Sequence, residues 1–244
     1  MASCQVGTGK GRQFVASFAA MIGILGGMGP AATVDFMGKL VAATRAACDQ
    51  QHLPTLVYSV PQIPDRTQAI VGGGESPLAA MRTGVEMLEN AGATHIAIAC
   101  NTAHFWFDAL ACGRRAAMLH IVDAALAQVP PGIERIALLA TEGTYAAGVY
   151  SRRIDGLMLP ETRERRALAG AIGAVKAGDI ARGRQDLFEI AAALAARGAQ
   201  AVVMGCTEIP VALAGLERAN SALLVDASAA LARACVRAYR ARSV

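Results

Sequence analysis

Aromatic side chains are scarce in this chain: they make up 5% of its 244 residues, with a single tryptophan. Charged residues are sparse too, at 17%, and the formal net charge is only +4. No basic stripe interleaved with aromatics occurs, so a nucleic-acid surface is not expected. The one short basic cluster, Arg163, Arg165 and Arg166, is interrupted by Glu161 and Glu164 and reads as a solvated helix face or loop. No run of 18 apolar residues is present, which argues against a membrane span. There is no Cys-x-x-Cys pair among the six cysteines, so a zinc ribbon is not expected. The histidines His52, His95 and His120 are scattered and form no metal set. Gly7-Thr8-Gly9-Lys10-Gly11 has the wrong spacing for a phosphate-binding loop, and no strand precedes it. No lysine sits where a Schiff base would be demanded, and neither a cofactor nor a metal is expected.

What the chain does have is apolar material: 54% of its residues are hydrophobic, and Ala and Gly are abundant. Small side chains suit close helix–sheet packing and leave room for clefts. Lys10 and Arg12 ahead of the apolar residues 14–24 loosely resemble a signal peptide, but that run passes straight into a core strand with no cleavage site before it. Residues 1–20 read as a flexible N-terminal extension. The remaining cysteines, Cys4, Cys48, Cys112 and Cys235, lie outside any motif, and free thiols in a reducing cytoplasm fit such a chain.

Strand-like runs at 22–26, 55–60, 95–99, 135–140, 156–159, 201–204 and 223–225 alternate with helix-like stretches. The helices are expected at 30–50, 77–91, 106–111, 143–154, 162–177, 181–197 and 227–242. This order predicts an α/β fold with mainly parallel sheets flanked by helices. The pairs Gly92-Ala93 and Gly198-Ala199 each stop a helix a few residues before a strand. The chain also reads as two similar halves. A strand and turn at Ile22–Gly29 match those at Ile136–Gly143, and each half then reaches a strand ending in a cysteine. Two pseudo-symmetric lobes are therefore expected, with a cleft between them. Residues 21–115 plus 226–244 would form the first lobe, and 116–225 the second.

The two cysteine frames carry the chemistry. Cys100 follows the apolar run Ile96-Ala97-Ile98-Ala99, and Cys206 follows Val202-Val203-Met204-Gly205. A thiol there sits at the carboxyl end of a parallel strand, where open α/β sheets bind ligands. It also sits near a helix N-terminus, which lowers a thiol's pKa.

Five motifs fall in order along the chain. They are Gly26-Gly27-Met28-Gly29-Pro30, Pro64-Asp65-Arg66-Thr67, Cys100-Asn101-Thr102-Ala103-His104, Leu139-Ala140-Thr141-x-Gly143-Thr144 and Gly205-Cys206-Thr207-Glu208-Ile209. Together, from about residue 22 to 239, they resemble the aspartate/glutamate racemase family. That resemblance implies a pyridoxal-independent amino-acid racemase working by two bases. One thiol takes the Cα proton from one face, and the other returns a proton to the opposite face. With roughly 3–3.5 Å from each sulfur to the carbon, the sulfurs should face each other across about 7 Å.

Backbone N–H groups of the two turns, the Thr102 and Thr207 hydroxyls and the Asn101 amide are the candidates to grip the α-carboxylate. Helix capping is their alternative role. Met28 should line the cleft. By the resemblance, Arg66 pairs with a distal carboxylate and Lys176 joins it, which favours an acidic amino acid, aspartate ahead of glutamate. Arg66 is expected in a loop. Taken alone, Lys176 reads equally well as a solvated surface residue. Glu208 stands where glutamate racemases commonly carry His, and it either acts on Cys206 or binds a backbone amide. His104 either tunes Cys100 or makes a structural hydrogen bond. A homodimer is implied by the same resemblance. Competing readings are a broad-specificity or glutamate racemase, a related isomerase such as a maleate isomerase, and an amino-acid-binding protein that retains the fold.

Overall fold

The computed structural model describes residues 20–242. Apart from Ala20, the expected N-terminal extension lies outside the described residues. So do Cys4 and the stretch 7–11.

The first sheet has the order β2-β1-β3-β4 and is parallel throughout. Its strands are β1 (Ile22–Gly26), β2 (Thr55–Ser59), β3 (His95–Ile98) and β4 (Ala117–Leu119). The helices of this half are α1 (Pro30–Thr44), α2 (Arg66–Val71), α3 (Leu78–Asn90), α4 (Phe107–Ala111) and α5 (Ile121–Leu126). The second sheet has the order β5-β6-β8-β7, with β5 (Ile136–Leu139), β6 (Ala201–Met204), β7 (Arg218–Ala219) and β8 (Ala222–Asp226). Only the short β7–β8 pair is antiparallel. Here the helices are α6 (Glu142–Ala147), α7 (Thr162–Lys176), α8 (Ile180–Ala196) and α9 (Glu208–Ala212). The last helix, α10 (Ala227–Arg242), returns to the first half and packs on α1, α5 and β3. Among the described residues, no helix is long and apolar enough to cross a membrane.

The strands alternate between two cores, as a two-residue period requires. In β1 and β3, Ile22, Ile24 and Ala97 join a central core that also takes Leu138, Ala201 and Val203 from the second sheet. The opposite parity, Ile96 and Ile98, meets Met81, Val85 and Leu88, which line one face of α3. In β6, Val202 and Met204 likewise meet Leu168, Leu187 and Leu194 from α7 and α8. A central core therefore joins the lobes, and an outer core closes each. Each Leu or Ile buried in these cores contributes about 1.5–3 kcal/mol.

Several boundaries differ from the expectation. The helix at 30–50 stops at Thr44, where Arg45 turns left-handed (φ 52°). The helix at 143–154 ends at Ala147 on a left-handed Gly148 (φ 65°), so 149–154 form turns. The run at 156–159 forms no strand: only Met158 pairs, in a parallel bridge to Ala137 on the free edge of β5. It occupies the place that β2 holds beside β1, with Pro160 closing off further pairing. The first sheet takes in β4 at 117–119, so it runs past the boundary expected at 115. Five short elements, α2, α5, α9, β4 and β7, had not been expected as separate elements; at two to six residues each they are too brief to show a period.

Candidate active site

Each cysteine continues the outward parity of its strand: Ile96, Ile98 and Cys100 on one side, Val202, Met204 and Cys206 on the other. The two thiols thus leave matching strands in matching frames. Both are buried, at 5% exposure, and both line one cleft. Met28, Arg66, Asn101, Thr102, Lys176 and Thr207 line it as well, so the structure brings all eight candidate residues together. The cavity is small, about 20 Å³, with room for about one water molecule.

The Met28 turn needs its glycine. Gly27 is left-handed (φ 91°), and a Cβ on it would stand 2.4 Å from the Val60 backbone. Thr33 pins this turn, accepting from the Gly27 N–H and donating to the Gly29 carbonyl, both at 2.9 Å.

Arg66 does not lie in a loop; it opens α2, which Asp65 caps by accepting from the Gln68 N–H at 2.8 Å. Its guanidinium donates to the carbonyls of Ile63 and Pro64 at 3.2 Å and of Met28 at 3.3 Å, while its Nε is buried without a partner. Lys176 is the last residue of α7 and lies at the exposed rim. Neither cation is paired with a carboxylate of the described residues.

Capping does not account for the polar side chains. Neither Asn101 nor Thr207 caps its helix. Asn101 Oδ1 accepts from the Tyr150 hydroxyl at 2.6 Å, and its Nδ2 is buried without a partner. Such an orphaned donor costs about 1–3 kcal/mol unless a ligand satisfies it. The Thr102 hydroxyl lies 2.8 Å from that of Thr144 and 3.0 Å from that of Thr141, a network that joins the lobes. Thr207 donates to Glu208 Oε2 at 3.2 Å.

Glu208 is buried, and its Oε2 also accepts from the Cys206 thiol at 3.0 Å. Burial pushes the Cys206 thiol well above its ordinary range, and the Glu208 carboxylate pushes it the same way; Lys176 opposes them. Cys206 is therefore a neutral thiol at pH 7. His104 is also settled: its Nδ1–H donates to the Cys100 carbonyl at 2.8 Å, and its Nε2 accepts from the Ile121 N–H at 3.1 Å. Burial lowers its pKa to about 3, so the ring is neutral and ties the Cys100 turn to α5.

The model of the Asp/Glu/Hydantoin racemase family matches residues 25–235. The chain belongs to that family. With membership stands the enzyme class, an amino-acid racemase, which is an isomerase. The Picrophilus torridus aspartate racemase structure superposes with a TM-score of 0.80 at 31% identity, covering 91% of this chain and 94% of that one. The broad-specificity amino-acid racemase RacX of Bacillus subtilis is 27% identical over 91% of this chain and 99% of its own length. A glutamate racemase structure from Thermus thermophilus shares the fold at a TM-score of 0.60 and 21% identity, over 92% of this chain and 82% of that one.

In this racemase the sequence reasoning missed the elements that join the lobes. Gly143, in α6, presses on Thr67 in α2: a Cβ there would come within 2.8 Å of Thr67 Cα. Thr141 and Thr144 stand in a sequence motif that does not show their partner Thr102, and Tyr150 stands in none. Among the described residues, no group of three or more His, Cys, Asp or Glu side chains is arranged to hold a metal.

Proposed function

We propose that this racemase interconverts the enantiomers of an acidic amino acid, aspartate ahead of glutamate, with Cys100 and Cys206 as its two bases. The observation that carries the reading is the pair of buried thiols in matching strand frames on one cleft, beside two cations that lack carboxylate partners. Arg66 and Lys176 hold the distal carboxylate. Asn101 and the turn N–H groups receive the α-carboxylate, onto which the electron pair of the broken Cα–H bond spreads.

In the resting protein Cys206 is a thiol hydrogen-bonded to Glu208, so the second lobe supplies the acid. From the form in which Cys100 is the thiolate, Cys100 takes the Cα proton, the C–H electron pair passes toward the α-carboxylate, and Cys206 delivers its own proton to the opposite face. The turnover leaves Cys100 protonated and Cys206 as thiolate, the state that serves the other enantiomer. Because the cavity holds about one water, substrate enters only after side chains or lobes part.

The test is proton NMR in deuterated water with L-aspartate, for wild type, Cys100→Ala and Cys206→Ala. The expected result is loss of the Cα proton signal with D-aspartate formed, abolished in both variants. A protein that exchanges neither aspartate nor glutamate refutes the acidic substrate. Exchange spread evenly over neutral amino acids favours the broad-specificity reading, which the likeness to RacX supports.

A further inference from the structure

Tyr150 belongs to none of the motifs above, yet its side chain reaches both cysteine turns. It sits in the turn after α6 and is almost fully buried, at 1% exposure. Its hydroxyl crosses to the first lobe and donates to Asn101 Oδ1, next to Cys100. Its ring lies on Gly205, the residue before Cys206: a Cβ there would stand 3.2 Å from Tyr150 Cε2. The same Cβ would come still closer to Leu138 Cδ1, at 2.6 Å, so glycine at 205 is required by Leu138 first and by the ring second.

An amide has one accepting and one donating end. With Oδ1 held by the tyrosine, the donating end of Asn101 is fixed, and that end is the buried atom left without a protein partner on the cleft wall. The geometry points to Tyr150 as a positioning residue, which locks the Asn101 amide so that its NH2 faces the substrate's α-carboxylate as charge builds there. The inference rests on the racemase reading. A donor aimed in advance needs no reorganisation when the charge develops, so it acts on the transition state more than on ground-state binding.

Tyr150→Phe keeps the ring and its contact with Gly205 and removes only the hydroxyl. The experiment measures kcat and KM for Cα deuterium exchange of aspartate in wild type, Tyr150→Phe, Asn101→Ala and the double variant. Asn101→Ser replaces Asn101→Ala in the cycle if the alanine protein does not fold. Removing such a donor outright typically costs about 100- to 1,000-fold in kcat. A donor kept but unlocked should cost about 10- to 100-fold, with KM within about 3-fold. The deciding comparison is the background. If Tyr150 acts through Asn101, adding Tyr150→Phe to Asn101→Ala changes kcat by less than about 2-fold. A full additional loss in the double variant, or wild-type kcat in Tyr150→Phe, overturns the inference while leaving the racemase reading intact. A wild type that exchanges no amino acid overturns both.

Discussion

His104 makes the protein acid-sensitive by an amount that follows from its burial. The ring is neutral in the folded protein, with a pKa lowered to about 3 by burial first and by His120 second. In the unfolded chain it titrates near 6.5. Between these values the unfolded state binds a proton that the folded state does not. Stability from this group is therefore complete above pH 6.5 and is lost as the pH falls toward 3. At pH 5 the loss is about 2 kcal/mol, and at full extent about 5 kcal/mol. His120, lowered to about 4, adds its own loss in the same direction. The perturbation is His104→Gln, which can donate and accept but does not titrate. Urea unfolding of both proteins at pH 7.5 and pH 5.0 is the assay, because His120 contributes to both and largely cancels in the difference. Wild type should lose about 2 kcal/mol more than the variant over this interval. Equal losses would refute the argument, since they would mean that the ring is protonated in the fold or that its two hydrogen bonds do not hold it buried.

Glu208 and Gly143 each allow a direct test. Glu208→Gln removes the charge that, after burial, raises the Cys206 thiol, so the pH profile of Cys206 alkylation by iodoacetamide, followed by peptide mass mapping, should move to lower pH. An unmoved profile would show that burial alone sets the thiol. Gly143→Ala should gain up to about 1 kcal/mol of helix propensity but lose about 1–3 kcal/mol to overpacking against Thr67 and Thr102. The net expectation is a lower Tm and a lower kcat/KM, and a raised Tm would show that the two lobes do not press together there.

The strands that carry the thiols were legible because they are short apolar runs ending in a distinctive residue, each preceded by a helix-stopping glycine. Gly92 and Gly198 adopt the left-handed conformation those stops require, with φ of 98° and 96°. Seven of the eight candidate residues stand in the five motifs and Lys176 rests on the resemblance alone, and all eight line one cleft. α2 carried a readable signal that went unused, Asp65 followed three residues on by Gln68, the usual opening of a helix. The run at 156–159 misled because apolar composition reports burial, whereas a strand also needs a backbone partner, and only Met158 finds one. Contacts between the lobes were illegible for a different reason. Tyr150 and Asn101 are 49 positions apart, and Thr102 and Thr144 are 42. No local period encodes such a pairing, which appears only once both lobes are folded.

The backbone repeats between the lobes, but the side chains beside the thiols do not, so the two sulfurs sit in different surroundings. In the two-base mechanism proposed above, turnover starts from a state with one thiol and one thiolate. In a site with identical surroundings, nothing in the protein would choose which sulfur keeps the proton. Under that proposal the second lobe makes the choice. Cys206 runs directly into Thr207 and Glu208, whose carboxylate accepts a hydrogen bond from the thiol. In the first lobe Asn101 is interposed, and the next polar side chains face elsewhere: Thr102 toward the threonines of α6 and its cap, and His104, neutral, toward the Cys100 carbonyl. Proteins tend to depart from a regular pattern at functional positions, where local consistency gives way to chemistry. On this reading the duplicated strand–turn unit places two sulfurs on one cleft. The unduplicated Glu208 then decides which of them begins as the acid.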